Sequence, residues 1–156
     1  MVWRGSTDTK DRIFAALVYS IPLYFSISLG QFAVNYLPQF LVVLIQIFLT
    51  PLNILYSIFP FADFVIFFAL FLLVVRNEKL RHFVRFNTMQ ALLLYIALVL
   101  IQLGIGILSI NFLTIVLGSI IFIVTLAVCI YSIIQCCLGK YPEIPSISDV
   151  VYSQVP

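Results

Sequence analysis

The eight Lys and Arg residues of this chain fall into three clusters, which are separated by two long runs without a single cation. The clusters occupy residues 4–12, residues 76–85 and Lys140, so the cation-free runs cover residues 13–75 and 86–139. A helix needs about 20 predominantly apolar residues to cross a bilayer. Each run therefore has room for two membrane crossings.

Composition argues against a soluble domain. Only 9% of the 156 residues are charged, and 63% are hydrophobic. Soluble domains carry about 25% charged residues, so this chain lacks the polar side chains to cover a water-exposed surface. We therefore predict a single integral membrane domain. We expect no binding to nucleic acid, because the cations occur only at the flanks of the apolar runs.

The charge distribution also predicts the topology. Positively charged residues favour the cytoplasmic side of a membrane. Two crossings in each run place all three clusters on one side, whereas three crossings in the first run would place the 76–85 cluster on the opposite side. We therefore expect an all-α integral membrane protein with four transmembrane helices and with both termini on the cytoplasmic or stromal side.

The transmembrane helices are predicted at residues 12–29, 61–75, 86–108 and 112–138. Pro22 lies in the middle of the first helix and is expected to kink it, because proline leaves the carbonyl four residues earlier without its hydrogen bond. Residues 139–156 contain three prolines and are predicted to form an extended, solvent-facing polar tail.

Residues 39–58 are apolar enough to resemble a further crossing. However, Pro38, Pro51 and Pro60 divide this part of the chain into short pieces, and a third crossing in the first run would break the charge rule. Short apolar segments are more often interfacial or re-entrant than membrane-spanning. We therefore predict an additional interfacial helical segment between the first and second transmembrane helices.

The stretch before the third helix, "RNEKLRHFVR", holds four of the eight cations and the only histidine. On a helix, Phe83 and Asn87 share one face, while Arg81 and His82 share the opposite one. Cations beside a membrane helix bind anionic lipid surfaces. The predicted membrane-surface anchors are Arg76, Lys79, Arg81 and Arg85.

Polar side chains continue into the third and fourth helices. Inside a membrane, such groups either form hydrogen bonds between packed helices or line a polar pathway, and the residues alone leave both roles open. The candidates for helix packing or for lining a passage are Asn87, Gln90, Gln102, Thr125 and Ser132.

Asp63 is the only acidic residue within either cation-free run. One interpretation is a carboxylate at a helix start near the far membrane surface, where the helix dipole favours it. The alternative is a buried functional acid, which would be costly inside the membrane. The first interpretation fits the predicted helix start at residue 61.

Enzyme chemistry is hard to find in this sequence. Cys129, Cys136 and Cys137 have no CxxC spacing, and the chain shows no Ser–His pair and no Gly-rich phosphate loop. We therefore expect no catalytic residues, no cofactor and no metal site. The residues before the first run include Asp8 and Asp11 and do not resemble a transit peptide or a cleavable signal.

The stretch "FADFVIFFALFLLVVRNEKLRHFVRFNTMQALLL", residues 61–94, resembles the twenty-kilodalton subunit family of the chloroplast inner-envelope protein translocon (TIC). The opening "MVWRGST" and the tail "LGKYPEIPSISDVVYSQVP" are also similar to its cyanobacterial and plastid-encoded members. By matching motif, the positions carried over are Arg76, Asn77, Arg85, Phe86, Asn87, Met89 and Gln90.

The resemblance implies four membrane helices with both ends on the stromal or cytoplasmic side, in a cyanobacterial cell membrane or a plastid inner envelope. It implies a component of a protein-translocation complex, proposed as the channel or channel core for unfolded precursor proteins. The expected partners are the lipid bilayer and other membrane subunits. The alternative function is a non-conducting scaffold or assembly factor for other membrane proteins.

Overall fold

The computed structural model describes residues 7–58, 60–108 and 111–155, and within these ranges all regular structure is helical. The remaining residues, which include Arg4 and most of the "MVWRGST" motif, lie outside the described part of the chain. The predicted all-α fold is confirmed.

The first transmembrane helix is formed by two helices, α1 (Thr9–Val18) and α2 (Ser20–Leu29). Asp8 caps α1, because its carboxylate accepts a hydrogen bond from the backbone N–H of Thr9 at 2.7 Å. The helix breaks at Tyr19, three residues before Pro22. Pro22 has no N–H to donate to the carbonyl of Val18. The missing hydrogen bond accounts for the break at Tyr19, so the predicted kink is present.

The next helices are α3 (Gln31–Val34), α4 (Gln39–Ile58) and α5 (Ala62–Leu70), which continues as a π-helical turn over Phe71–Val75. Both predicted apolar segments of this region are thus helical. By length and composition α4 is long enough to cross a membrane, whereas the apolar helix Ala62–Val75 is shorter. The interfacial placement of residues 39–58 stays a prediction.

The third long helix is α6 (His82–Leu108), and the fourth is α7 (Asn111–Cys137). In the described part of the chain, four helical segments have the length and apolarity of membrane spans: Thr9–Leu29, Gln39–Ile58, His82–Ile107 and Phe112–Cys137. The predicted number, four membrane-length helices with one further apolar helix, is confirmed. By length, however, Gln39–Ile58 is one of the four and Ala62–Val75 is the shorter helix, the reverse of the predicted assignment.

The predicted extended tail is wrong. Residues Ile147–Gln154 form a helix, α8, which packs against α6. Val151 and Val155 are buried, as is Pro142 at the start of the tail. Ile147 and Val151 lie one helical turn apart on α8 and pack with Phe86 and Met89 of α6, so this contact removes apolar surface from water.

Both described termini meet at one end of the bundle, which we call the terminal end. Arg81, just before α6, forms a 2.6 Å ion pair with Asp11 of α1, and Gly139, just after α7, lies against Thr7 and Arg12. The cation clusters are therefore together in space, as the charge pattern predicted. The opposite end, where α2 and α6 finish and α7 begins, is the distal end.

The core lies where α1 and α2 pack between α6 and α7. They run parallel to α6 and antiparallel to α7: Tyr19 contacts both Asn87 and the neighbourhood of Cys136, while Leu29 lies against Gly118. Gly118, Thr125 and Ser132 are small residues on this face of α7 and permit the close approach.

Candidate functional site

Asn87 lies where three helices meet, and its side chain is fully buried. Its Oδ1 accepts hydrogen bonds from the Tyr19 hydroxyl at 3.1 Å and from the Cys136 thiol at 3.1 Å. Its Nδ2 donates to the carbonyl of Phe83 at 2.8 Å. One amide thus links α1–α2, α6 and α7 at the terminal half of the bundle.

Gln90 is also fully buried, and it holds the chain that follows α7. Its Nε2 donates to the carbonyl of Pro142 at 3.1 Å, and its Oε1 accepts from the Ser148 hydroxyl at 3.4 Å. The same hydroxyl accepts the backbone N–H of Ile144 at 2.7 Å. The amide therefore connects α6 to both the loop before α8 and to α8 itself.

The other candidates for packing or lining divide between two environments. Thr125 and Ser132 are buried on the face of α7 that packs against α1 and α2. Gln102 is exposed on the distal half of α6. The five candidates therefore do not line one continuous passage through the described bundle.

Three of the predicted surface anchors lie where the charge pattern places them. Arg76, Lys79 and Arg81 are exposed at the terminal end, and the guanidinium of Arg76 lies 5.8 Å from the ring centroid of Phe71. Arg81 is also tied to Asp11, so it joins the start of α6 to the start of α1. These positions fit cations that face lipid headgroups or water.

Arg85 departs from the predicted surface position, because only 8% of the residue is exposed. Its Nε donates to the carbonyl of Val75 at 2.9 Å. The last carbonyls of a helix lack partners within that helix, and a cation near a helix C-terminus is favoured by the dipole. Arg85 therefore caps the π-helical end of the α5 segment from the neighbouring helix.

Asp63, the second residue of α5, lies beside Tyr95 of α6, whose hydroxyl donates to its Oδ2 at 3.5 Å. Tyr95 is the central residue of the 27-residue α6. The Tyr95 ring is 5.3 Å from that of Phe25, and the neighbouring Tyr24 ring is 4.8 Å from that of Tyr56. The C-terminal end of α4 and the N-terminal end of α5 thus meet halfway along the bundle. We call Tyr24, Tyr56, Asp63 and Tyr95 the mid-level cluster.

Asp63 does not lie level with the distal end of the bundle, where an acid near the far membrane surface was expected. From Tyr95 to its distal end, α6 continues for about 20 Å, and this part contains no charged residue. Its apolar side chains are widely exposed, as Ile107 shows at 83%. Such a surface is stable in hydrocarbon and not in water, so a bilayer that covers it would hold the mid-level cluster in its interior.

The cluster's tyrosines were not singled out from the sequence. Tyr24, Tyr56 and Tyr95 lie in apolar runs that are far apart along the chain, and an isolated tyrosine there is compatible with packing or with an interfacial position. The lone acid was the one available signal, and its partners depend on how the helices pack.

A pocket of about 350 Å³, which we call the α2–α4 groove, lies between α2 and α4. Its walls are mostly apolar, with four polar side chains: Ser28, Gln31, Gln46 and Asn53. Among the described residues, the side chains of the three amides make no hydrogen bond. They offer donors and acceptors on an otherwise apolar face.

Comparison with known families gives a match over residues 8–151 to the family described as "Chloroplast import apparatus Tic20-like". A "Tic20 family protein" of Synechocystis sp. is 41% identical and aligns over 99% of both chains. "Protein TIC 20-v, chloroplastic" of Arabidopsis thaliana is 31% identical, over 96% of this chain and 73% of the relative.

A red algal relative, "Tic20 family protein Ycf60" of Pyropia yezoensis, is 32% identical over 97% of this chain and 80% of the relative. Together with the four apolar helices, these matches describe a multi-pass membrane protein with relatives in cyanobacteria and in plastids. Because the family match covers most of the sequence, the chain belongs to the Tic20-like family of the chloroplast import apparatus.

Proposed function

We propose that this protein is a membrane-embedded subunit of a protein-translocation complex, and that a polypeptide in transit moves along the outside of its helix bundle. The first part is supported by the family, whose description names the chloroplast import apparatus, and by relatives with the same family name in both cyanobacteria and chloroplasts. Its partners in this role are lipid, other membrane subunits and unfolded precursor proteins.

The packing of Asn87 and Gln90 supports the second part. Both amides are fully buried and bonded to other parts of the same chain. A water-filled route through the described bundle would have to break these hydrogen bonds, and each lost partner leaves a buried polar group unpaired. A packed core at this position favours a scaffold for a pathway over a conduit within a single copy.

The α2–α4 groove is the surface that we propose for the moving chain. An unfolded polypeptide carries unpaired N–H and C=O groups, which are costly in hydrocarbon. The amides of Gln31, Gln46 and Asn53 face this groove without side-chain partners among the described residues. They could pair with a passing backbone irrespective of its sequence.

Crosslinking from single sites tests this proposal. A precursor with a folded C-terminal domain would be arrested in membranes that contain the full complex. A photoreactive residue would replace Gln31 or Gln46 in the groove, or Thr125 in the interior. We expect precursor crosslinks from the two groove sites and none from Thr125. Crosslinks from Thr125 would instead establish a conduit through the bundle, and their absence from all sites would reject contact with the precursor.

We also propose that both termini face the cytoplasm or stroma and that the protein is not an enzyme. The orientation is supported by the collection of cations at the terminal end. The second point is supported by His82, whose ring nitrogens lie 3.0 Å from the Tyr141 hydroxyl and 3.0 Å from the carbonyl of Val155. These contacts hold the C-terminal segment and leave the ring no open position.

A further inference from the structure

The mid-level cluster borders an open pocket of about 260 Å³, which is lined by Tyr24, Phe25, Tyr56, Tyr95 and residues 60–63. The carboxylate of Asp63 is partly exposed there. Its one described hydrogen bond, from the Tyr95 hydroxyl, is long at 3.5 Å. The pocket therefore presents an acid whose hydrogen-bonding capacity is mostly unused.

The backbone beside this acid is irregular. Between α4 and α5, Phe61 adopts a left-handed conformation with φ 66°, and 74% of the residue is exposed. This conformation is costly for a residue with a side chain. In the membrane interior, non-helical backbone occurs only where it is covered by protein or lines a water-filled cavity. This surface is therefore unfavourable when only lipid covers it.

The charge of Asp63 also requires a partner other than lipid. An acid near the middle of a bilayer is costly and is normally paired. This chain has no Lys or Arg in residues 13–75 or 86–139, so no cation of its own lies at this depth. A second copy of the chain could not supply a cation either, because its membrane helices have the same sequence.

We propose that this pocket docks a transmembrane helix of a different membrane protein, which places a Lys or Arg side chain against Asp63. A helix satisfies its own backbone in hydrocarbon, and its cation would form a charge-assisted hydrogen bond with the carboxylate. The hydroxyls of Tyr56 and Tyr95 supply further acceptors for an ammonium or guanidinium group. The exposed ring of Phe64 extends the contact along α5.

This inference does not depend on the proposed path of the precursor. The two pockets are adjacent and share Tyr24, but the amides that we assign to the moving chain line only the α2–α4 groove, whereas Asp63 lines only the docking pocket. A stable helix partner would be bound whether or not a precursor is in transit, so the two proposals can fail separately.

The test uses the full chain in its native membranes. A photoreactive phenylalanine replaces Phe61, or Ile107 as an exposed control at the distal end, and the crosslinked peptide is sequenced by mass spectrometry. We expect the Phe61 site to give one partner, crosslinked within a transmembrane segment that has Lys or Arg within one helical turn. Asp63→Asn keeps the shape of the side chain and should reduce this crosslink about tenfold or more, while crosslinks from Ile107 stay unchanged.

A charge exchange completes the test. Asp63→Lys should abolish the crosslink, and replacing the partner's cation by Asp in the same cells should restore it. Crosslinks to lipid only, to a second copy of this chain, to a helix without a cation, or only to an arrested precursor would each overturn the proposal. Thermal unfolding of Asp63→Asn in detergent, expected to match the wild type, separates lost docking from lost folding.

Discussion

Asn87 illustrates how a helix bundle keeps a polar side chain inside a membrane. All of its described hydrogen bonds are made to the same chain, and two of them cross between helices. Such interhelical bonds contribute about 0.6 kcal/mol each on average in membrane proteins. At this scale the residue acts as a connection between helices that packing has already brought together.

We predict that Asn87→Leu lowers the thermal stability of the protein in detergent by about 1–2 kcal/mol, because the Tyr19 hydroxyl and the Cys136 thiol lose their acceptor. Topology should not change, since leucine is well accepted in a membrane helix. Thermal unfolding measured by circular dichroism checks this. Gln102→Leu on the exposed face of the same helix is the matched control and should leave stability unchanged; an equal loss in both variants would contradict the assigned role.

At the scale of elements, the contact of α2 with α7 depends on two glycines. A methyl group at Gly118 would overlap the carbonyl oxygen of Leu29, and one at Gly30 would overlap the Phe122 side chain. The first obstacle is backbone, so it cannot be relieved by a rotamer change. The helices approach here to a distance that only glycine permits.

We therefore expect Gly118→Ala to destabilise the protein by about 1–3 kcal/mol through overpacking. Gly104→Ala on α6 is the control, since a methyl there meets nothing within 4 Å. It should be neutral or should gain up to about 1 kcal/mol from helix propensity. Unfolding in detergent measures both, and a Gly118→Ala protein as stable as Gly104→Ala would show that α2 and α7 are farther apart than described.

At the scale of the whole molecule, the polypeptide crosses the bundle so that its described ends return to one face. The ion pair between Asp11 and Arg81 and the contact of Gly139 with Arg12 join all three chain regions there. The path from α4 into α5 returns to this end in two pieces, which meet at the mid-level cluster. The cations then stay on one side of the membrane.

We predict that single cysteines introduced by Glu78→Cys and Ser153→Cys react with a membrane-impermeant reagent from the cytoplasmic face, whereas Asn35→Cys reacts from the opposite face. The native cysteines are removed first, with Cys136→Ser to retain a donor to Asn87. Labelling of residues 78 and 153 from opposite faces would contradict the topology. Labelling of both from the non-cytoplasmic face would reverse only the orientation.

Four features could be predicted from the sequence alone: the membrane class, the all-α fold, the number of long apolar helices and the kink near Pro22. These features follow from local causes: the length of an apolar run, the position of cations at its ends and the missing N–H of a proline. The inward direction of Asn87 and Phe83 followed from helical periodicity, and both side chains are buried.

The groups that these side chains contact depend on how the helices pack. Arg85 was predicted to be a surface anchor and His82 to face away from Asn87. In the structure, Arg85 caps Val75 and His82 contacts the carbonyl of Val155. The tail forms a helix because α6 offers it an apolar surface, and Asp63 lies at mid-level because α5 starts beside Tyr95. Each of these outcomes depends on a contact with a residue that is distant along the chain. Local sequence patterns do not show which distant residues come into contact, so they cannot predict the free energy that such contacts contribute.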